Sequence, residues 1–201
     1  MLLPRIHLHE HVVSKYCTVL GTSLAAVIAH EDRVALNVLR MRTDVEPARI
    51  GCVGLSGGGL RAALMRATSD ELAACVIVGM MSTYEGLLSD CGAPHTWMLF
   101  PAGWSQAGDW PDLAASASPS PLLVQFLLDD ELFTVEGMRN ADLRLAATYA
   151  RANAPDAYTG EFYPGPHRFD VPMQEAALAW LRSRLCAGPI GAADTGSRSP
   201  P

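Results

Sequence analysis

Ile50-Gly-Cys-Val-Gly-Leu-Ser-Gly-Gly-Gly-Leu60 decides the reading of this chain, because an apolar run ends there in a single serine framed by glycines and a helical pattern begins directly after it. Ile50, Cys52, Val53 and Leu55 read as a buried strand, and Leu60, Ala63, Leu64 and Ala67 recur at the spacing of one helix face. The pentapeptide Gly54-Leu55-Ser56-Gly57-Gly58 fits G-x-S-x-G, the pattern of a tight strand-to-helix turn that exposes a serine hydroxyl to substrate and to a base. Small residues are needed at such a turn, and Cβ atoms at positions 54 and 58 are expected to collide with the neighbouring strand and helix. The amide of Gly57 and the positive end of the helix dipole would then point at the group the serine attacks. The alternative is a glycine-rich turn with a structural serine. Gly57-Gly58-Gly59 lacks the Lys-Ser/Thr of a phosphate-binding loop and the spacing of a dinucleotide fingerprint, so it does not read as a phosphate site.

Moving outward, residues 20–41 carry Leu24, Val27, Ile28, Val34, Val38 and Leu39 at helical spacing, and Pro47 lies beyond their end. Ala73–Met80 and Pro121–Leu128 are short, almost wholly apolar runs of the kind buried in parallel sheets. A helix is expected over 136–152, a fourth short strand over 159–163, and a last helix over 173–185 with Ala177, Leu178, Trp180 and Leu181 inward. Residues 81–120, with three tryptophans and no sustained period, read as a loop and helical insertion. Strands alternating with helices imply a mostly parallel sheet covered on both faces, an αβα arrangement with its site at the carboxyl ends of the strands. One domain over 1–186 and a disordered tail over 187–201 are expected.

Composition narrows the partners. The chain has 201 residues, 49% of them hydrophobic, and a net charge of −6 with no run of Lys or Arg, which argues against nucleic acid and against an anionic membrane surface. No segment approaches the ~20 apolar residues of a membrane span, and the start does not read as a signal peptide, so a cytoplasmic location is expected. Five cysteines are scattered without zinc spacing and read as free thiols. His7, His9 and His11 alternate with Ile6 and Leu8, but the cluster reads as a solvated face, so no metal and no cofactor is expected.

Ser56, the pair Asp129-Asp130 and His167 each follow an expected strand, which brings serine, acid and base to one sheet edge in that chain order. The chain resembles the dienelactone-hydrolase-like and acetyl xylan esterase-like branch of the α/β-hydrolase superfamily. The resemblance spans most of residues 20–185. It rests on Arg49–Gly58, Gly108–Leu113, Pro119–Gln125, Asp130-Glu-Leu-Phe133 and Gly165-Pro-His-Arg-Phe169. It implies a nucleophile at Ser56, a base at His167 from the pattern G-x-H-x-F, and an orienting acid at Asp130 rather than Asp129 from a pattern G-x-x-D-x-L-F-P. Leu127 and Thr134 depart from that last pattern. Gly57 would supply an oxyanion N–H, and Leu55, His95 and Trp97 are candidate pocket residues. The implied reaction is cleavage of a small carboxylic ester, such as an acetyl ester, through an acyl-enzyme.

Relatives of that branch usually carry several strands before the elbow, whereas 55 residues precede Ser56 here. The implied fold therefore lacks the usual N-terminal strands, the second oxyanion donor has no obvious source, and the strand at 49–55 is left with an open edge. Three resolutions present themselves: a shortened chain without full activity, a substitute strand from residues 1–20, or a partner or second copy covering the edge. The alternation over Pro4–His11 suits the substitute strand, and the same residues could begin a helix.

Overall fold

The computed structural model describes residues 3–88, 92 and 94–186, with the backbone alone over 3–8. The expected tail and Cys91 lie outside the described residues. Four strands, β1 (Gly51–Leu55), β2 (Ala74–Val78), β3 (Leu122–Leu127) and β4 (Tyr158–Tyr163), form one sheet in the order β1-β2-β3-β4 with every pair parallel. All of β2 and β3 is buried, as a run of apolar side chains covered from both faces requires. The expected three-layer α/β architecture is present.

Alternate residues of the inner strands divide between two cores. Cys75, Ile77, Leu122, Val124 and Phe126 face a layer built by α2 (Leu24–Arg40), α3 (Gly57–Thr68), α5 (Trp110–Ala115) and α6 (Val135–Arg151). Ala74, Val76, Val78, Leu123 and Leu127 face α7 (Val171–Cys186), which fills that side with Met173, Ala177 and Leu181. Leu178, expected inward, is 56% exposed because α7 turns its 173/177/181 stripe to the sheet, with Trp180 and Leu185 half-buried at its margin.

The stretch 1–20 is not a substitute strand. Residues Leu3–Val19 form a helix, α1, which satisfies its backbone internally where a strand needs a partner edge. It ends at Gly21, whose φ of 72° suits a residue without Cβ, and Ser23 then starts α2 by accepting a bond from Ala26 N. The helix expected over 20–41 therefore begins at Leu24. Among the described residues β1 pairs with β2 alone, so its outer edge is open, and Val53, expected to be buried, is 42% exposed there. No single helix among the described residues is long and apolar enough to cross a membrane.

Between β2 and β3 lie α4 (Tyr84–Leu88), two 3₁₀ turns at Trp97–Leu99 and Trp104–Gln106, and α5. This stretch is pinned by a buried arginine that helical periodicity did not reveal. Arg66 of α3 is 1% exposed and donates to the carbonyls of Ala114, Ser120 and Pro121 and to the Tyr149 hydroxyl, with Nε–Ala114 O at 2.9 Å. Those bonds replace the water that a buried guanidinium gives up.

Candidate active site

Ser56 stands between β1 and α3 with φ 57° and ψ −121°, a region that residues other than glycine seldom adopt and that costs about 1–3 kcal/mol. Two bonds hold it there: its N–H donates to Val78 O at 2.8 Å, and its carbonyl accepts from Leu60 N at 3.0 Å. Gly57 is the first residue of α3, so its N–H is one of the helix-start amides with no intrahelical acceptor. Crowding at the turn differs from the expectation. A Cβ on Gly54 would sit 2.7 Å from Gly59 N and nearer still to the Gly58 carbonyl, and one on Gly59 would lie 2.9 Å from Val78 O and Met80 Cγ. A Cβ on Gly58 would meet nothing within 4 Å. The crowded pair is thus Gly54 and Gly59, because β1 and β2 pass under the first turn of α3 at those two points.

The turns after β3 and β4 are bound to each other. Leu128 N donates to Tyr163 O, Asp129 N to Gly165 O, and Gly165 N returns a bond to Asp129 Oδ2 at 2.6 Å. Asp129 therefore clamps the turn that carries His167, with its side chain at the surface. Asp130 points inward, and its side chain is 1% exposed. Its Oδ2 accepts from His167 Nδ1 at 2.6 Å and its Oδ1 from Leu132 N at 3.0 Å. A carboxylate at Nδ1 fixes that nitrogen as the proton-bearing one, which leaves Nε2 as a base. Thr134, one of the two departures in this turn, starts α6 by accepting from Gly137 N at 3.1 Å.

The His167 ring lies over the end of β2. A Cβ on Gly79, whose φ is 56°, would come within 3.3 Å of His167 Cε1 and 3.2 Å of Leu55 Cδ1 and Leu127 Cδ1. Leu55 and His167 thus meet above a glycine that makes room for both. Gly79 was hidden in the sequence because Val-Gly-Met reads as a continuation of the apolar run.

Of the two candidate pocket residues in the 81–120 stretch, only His95 joins this group. Its Nε2–H donates to Leu132 O at 2.8 Å and its ring packs on Phe133, with centroids 4.8 Å apart. Burial pushes its imidazole below the ordinary histidine range, the Leu132 carbonyl and the Asp130 charge oppose that shift, and His167 adds to it. Trp97 lies instead against α1: its ring packs on His11, centroids 5.4 Å apart, and its N–H donates to Glu10 at 2.9 Å. Met98, which sequence reading did not single out, takes the place beside the elbow, its Cε 3.7 Å from where a Cβ on Gly57 would be. Among the described residues no cluster of His, Cys, Asp and Glu could hold a metal ion.

No protein-family model matches the chain. It is 25% identical over 177 residues to "Putative hydrolase YtaP" of Bacillus subtilis (strain 168), which covers 88% of this chain and 59% of that protein. Among solved structures it is similar to a glucuronoyl esterase from Solibacter usitatus, with a TM-score of 0.64, 15% identity and coverage of 78% of this chain and 47% of that one. A "putative acetyl xylan esterase" of Bacteroides fragilis NCTC 9343 gives a TM-score of 0.64 at 17% identity, over 87% of this chain and 52% of that one. The chain therefore spans about half to three fifths of the length of these proteins, and its fold is that of the α/β-hydrolases.

Proposed function

We propose that the chain is a serine hydrolase of carboxylic esters, working through an acyl-enzyme on Ser56. The observation that carries this reading is the bond from His167 Nδ1 to the buried Asp130 carboxylate, at the strand ends where Ser56 is held at its unusual φ. In the first half-reaction His167 Nε2 takes the proton from the Ser56 hydroxyl as Oγ adds to the ester carbonyl. Negative charge on the carbonyl oxygen is met by Gly57 N–H and the start of α3. The intermediate collapses, the alcohol leaves with the proton from His167, and water repeats the sequence to free the acid. Asp130 stabilises the imidazolium without taking its proton. The chemistry needs neither metal nor cofactor.

A small acyl group, acetyl above all, fits best. Met98 stands close over the Gly57 end of the elbow, and one of the similar structures is named a "putative acetyl xylan esterase". The test is a fluorophosphonate probe and a chromogenic acetate ester applied to the purified chain and to Ser56→Ala. Labelling and turnover that vanish in the variant support a serine esterase. A folded wild type that neither labels nor turns over refutes it and leaves a non-catalytic protein of this fold.

A further inference from the structure

His95 and Asp130 hold opposite sides of one residue. His95 Nε2–H donates to the carbonyl of Leu132 at 2.8 Å, while Asp130 Oδ1 accepts from the amide of the same Leu132 at 3.0 Å. The second oxygen of Asp130 is the one bonded to His167, at 2.6 Å. A line of three hydrogen bonds therefore runs from the segment between β2 and β3, through a single peptide residue, to the imidazole. His95 stands 37 residues before Leu132, so the link depends on tertiary structure alone. Phe133 and Phe100 lie against the ring, with centroids at 4.8 and 6.3 Å, and leave it little freedom to turn. On the far side the same segment is fastened to α1, where Glu10 accepts from Thr96 Oγ1 and from Trp97 N.

We propose that His95 is a positioning residue, which holds the turn 130–133 so that the Asp130 carboxylate keeps its orientation towards His167. The inference rests on the reading of His167 and Asp130 as base and orienting acid. The bond to Leu132 O holds the Leu132–Phe133 peptide, while Asp130 Oδ1 takes the N–H of the adjoining Glu131–Leu132 peptide, so the two bonds fix the Leu132 backbone from both sides of its Cα. Without the bond from His95, Leu132 is free to turn about its φ and ψ, its amide leaves Oδ1, and the carboxylate turns away from Nδ1. Small misplacements of this kind are costly, since about 1 Å at a reacting group can remove about 10²-fold in rate. His95 does not itself touch the reacting atoms. Burial lowers the pKa of its imidazole, which favours the neutral form with Nε2–H as the donor to Leu132 O.

A packing role and a donor role are separable by substitution. His95→Phe keeps an aromatic ring between Phe100 and Phe133 and removes the donor; His95→Gln replaces the donor and loses the ring. Both would be made in the full chain and checked for folding by circular dichroism. Two readouts apply: kcat and KM on a chromogenic acetate ester, and the low-field proton resonance of His167 Nδ1–H, which needs no turnover. His95→Phe should lower kcat by about 10- to 10²-fold with KM little changed, and broaden the resonance by faster exchange. His95→Gln should keep both near wild type. A folded His95→Phe with wild-type kcat and an unchanged resonance overturns the proposal, as does a wild type in which the resonance is missing at low temperature. Should the wild type prove inactive, the ester-hydrolase reading fails by itself, and the resonance in the three proteins still decides whether His95 holds Asp130.

Discussion

Replacing Gly54 and Gly58 by alanine should move stability in opposite directions, although the two glycines flank the same serine and look equivalent in the sequence. A Cβ on Gly54 falls roughly 0.7 Å short of ordinary contact distance at Gly59 N, and further short at the Gly58 carbonyl. Those atoms are backbone, so relief requires α3 to lift off β1, and α3 is packed on β1, β2, α2 and α5. The cost should reach or exceed the upper end of the usual overpacking range, about 3 kcal/mol. For a chain of this size that is a fall of about 6–12 °C in Tm. At Gly58 the new methyl meets nothing within 4 Å, and the position is helical. Alanine there removes unfolded-state entropy and should gain about 0.5–1 kcal/mol, or about 1–4 °C. Thermal unfolding followed by circular dichroism, with urea titration to check that the m-value is unchanged, measures both. Equal losses in the two variants would refute the argument, and so would a Gly54→Ala protein that melts with the wild type.

The two neighbouring aspartates should separate in the same way. Asp130→Asn leaves His167 Nδ1 facing an amide that can present the wrong group, and ester turnover should fall by about 10⁴-fold. Asp129→Asn loses only a charge-assisted clamp on Gly165 N–H and should cost far less, a contrast read directly from kcat/KM; similar losses would mean that Asp130 has been wrongly preferred. His95 also gives stability a pH dependence of known sign. Its folded pKa is depressed by burial, so its contribution is complete above the unfolded value of about 6.5. The unfolded chain binds the proton first as pH falls, and that contribution is lost down to the folded pKa. Urea midpoints at pH 7.5, 6.5 and 5.5 should fall more steeply in wild type than in His95→Gln, and parallel curves would contradict this.

What the sequence disclosed was whatever depends on neighbours along the chain. Ala74–Val78 and Leu122–Leu127 could be read because buried parallel strands leave unbroken apolar runs, and α3 because its apolar positions recur at helical spacing. The order of Ser56, Asp130 and His167 followed from the strands they terminate. Contacts across the chain stayed hidden. Nothing along the chain marks Arg66 for burial, and only the fold shows the three carbonyls and the phenol that receive it. Gly58 and Gly59 are indistinguishable as letters, and the turn of α3 alone decides which one meets β2. Residues 4–11 failed for a different reason. An alternation of apolar and polar residues as short as Ile6-His7-Leu8-His9 fits a strand or a helix almost equally, and α1 won because a helix needs no neighbour for its backbone.

Among the described residues Ser56 follows an edge strand of its sheet, and that has a dynamic consequence. Amide exchange in folded proteins proceeds through partial openings whose free energies rise with the number of contacts broken. Releasing β1 breaks one ladder, whereas releasing β2 or β3 breaks two. Exchange from β1 and from the first turn of α3 should therefore proceed at a lower opening free energy than exchange from β2 and β3. The turn that holds Ser56 at its unusual φ is anchored on an edge strand, which opens more easily than β2 or β3. Any chain that pairs with the free side of β1 raises the cost of that opening by linkage, and so stiffens the Ser56 turn from a distance without touching Ser56, Asp130 or His167.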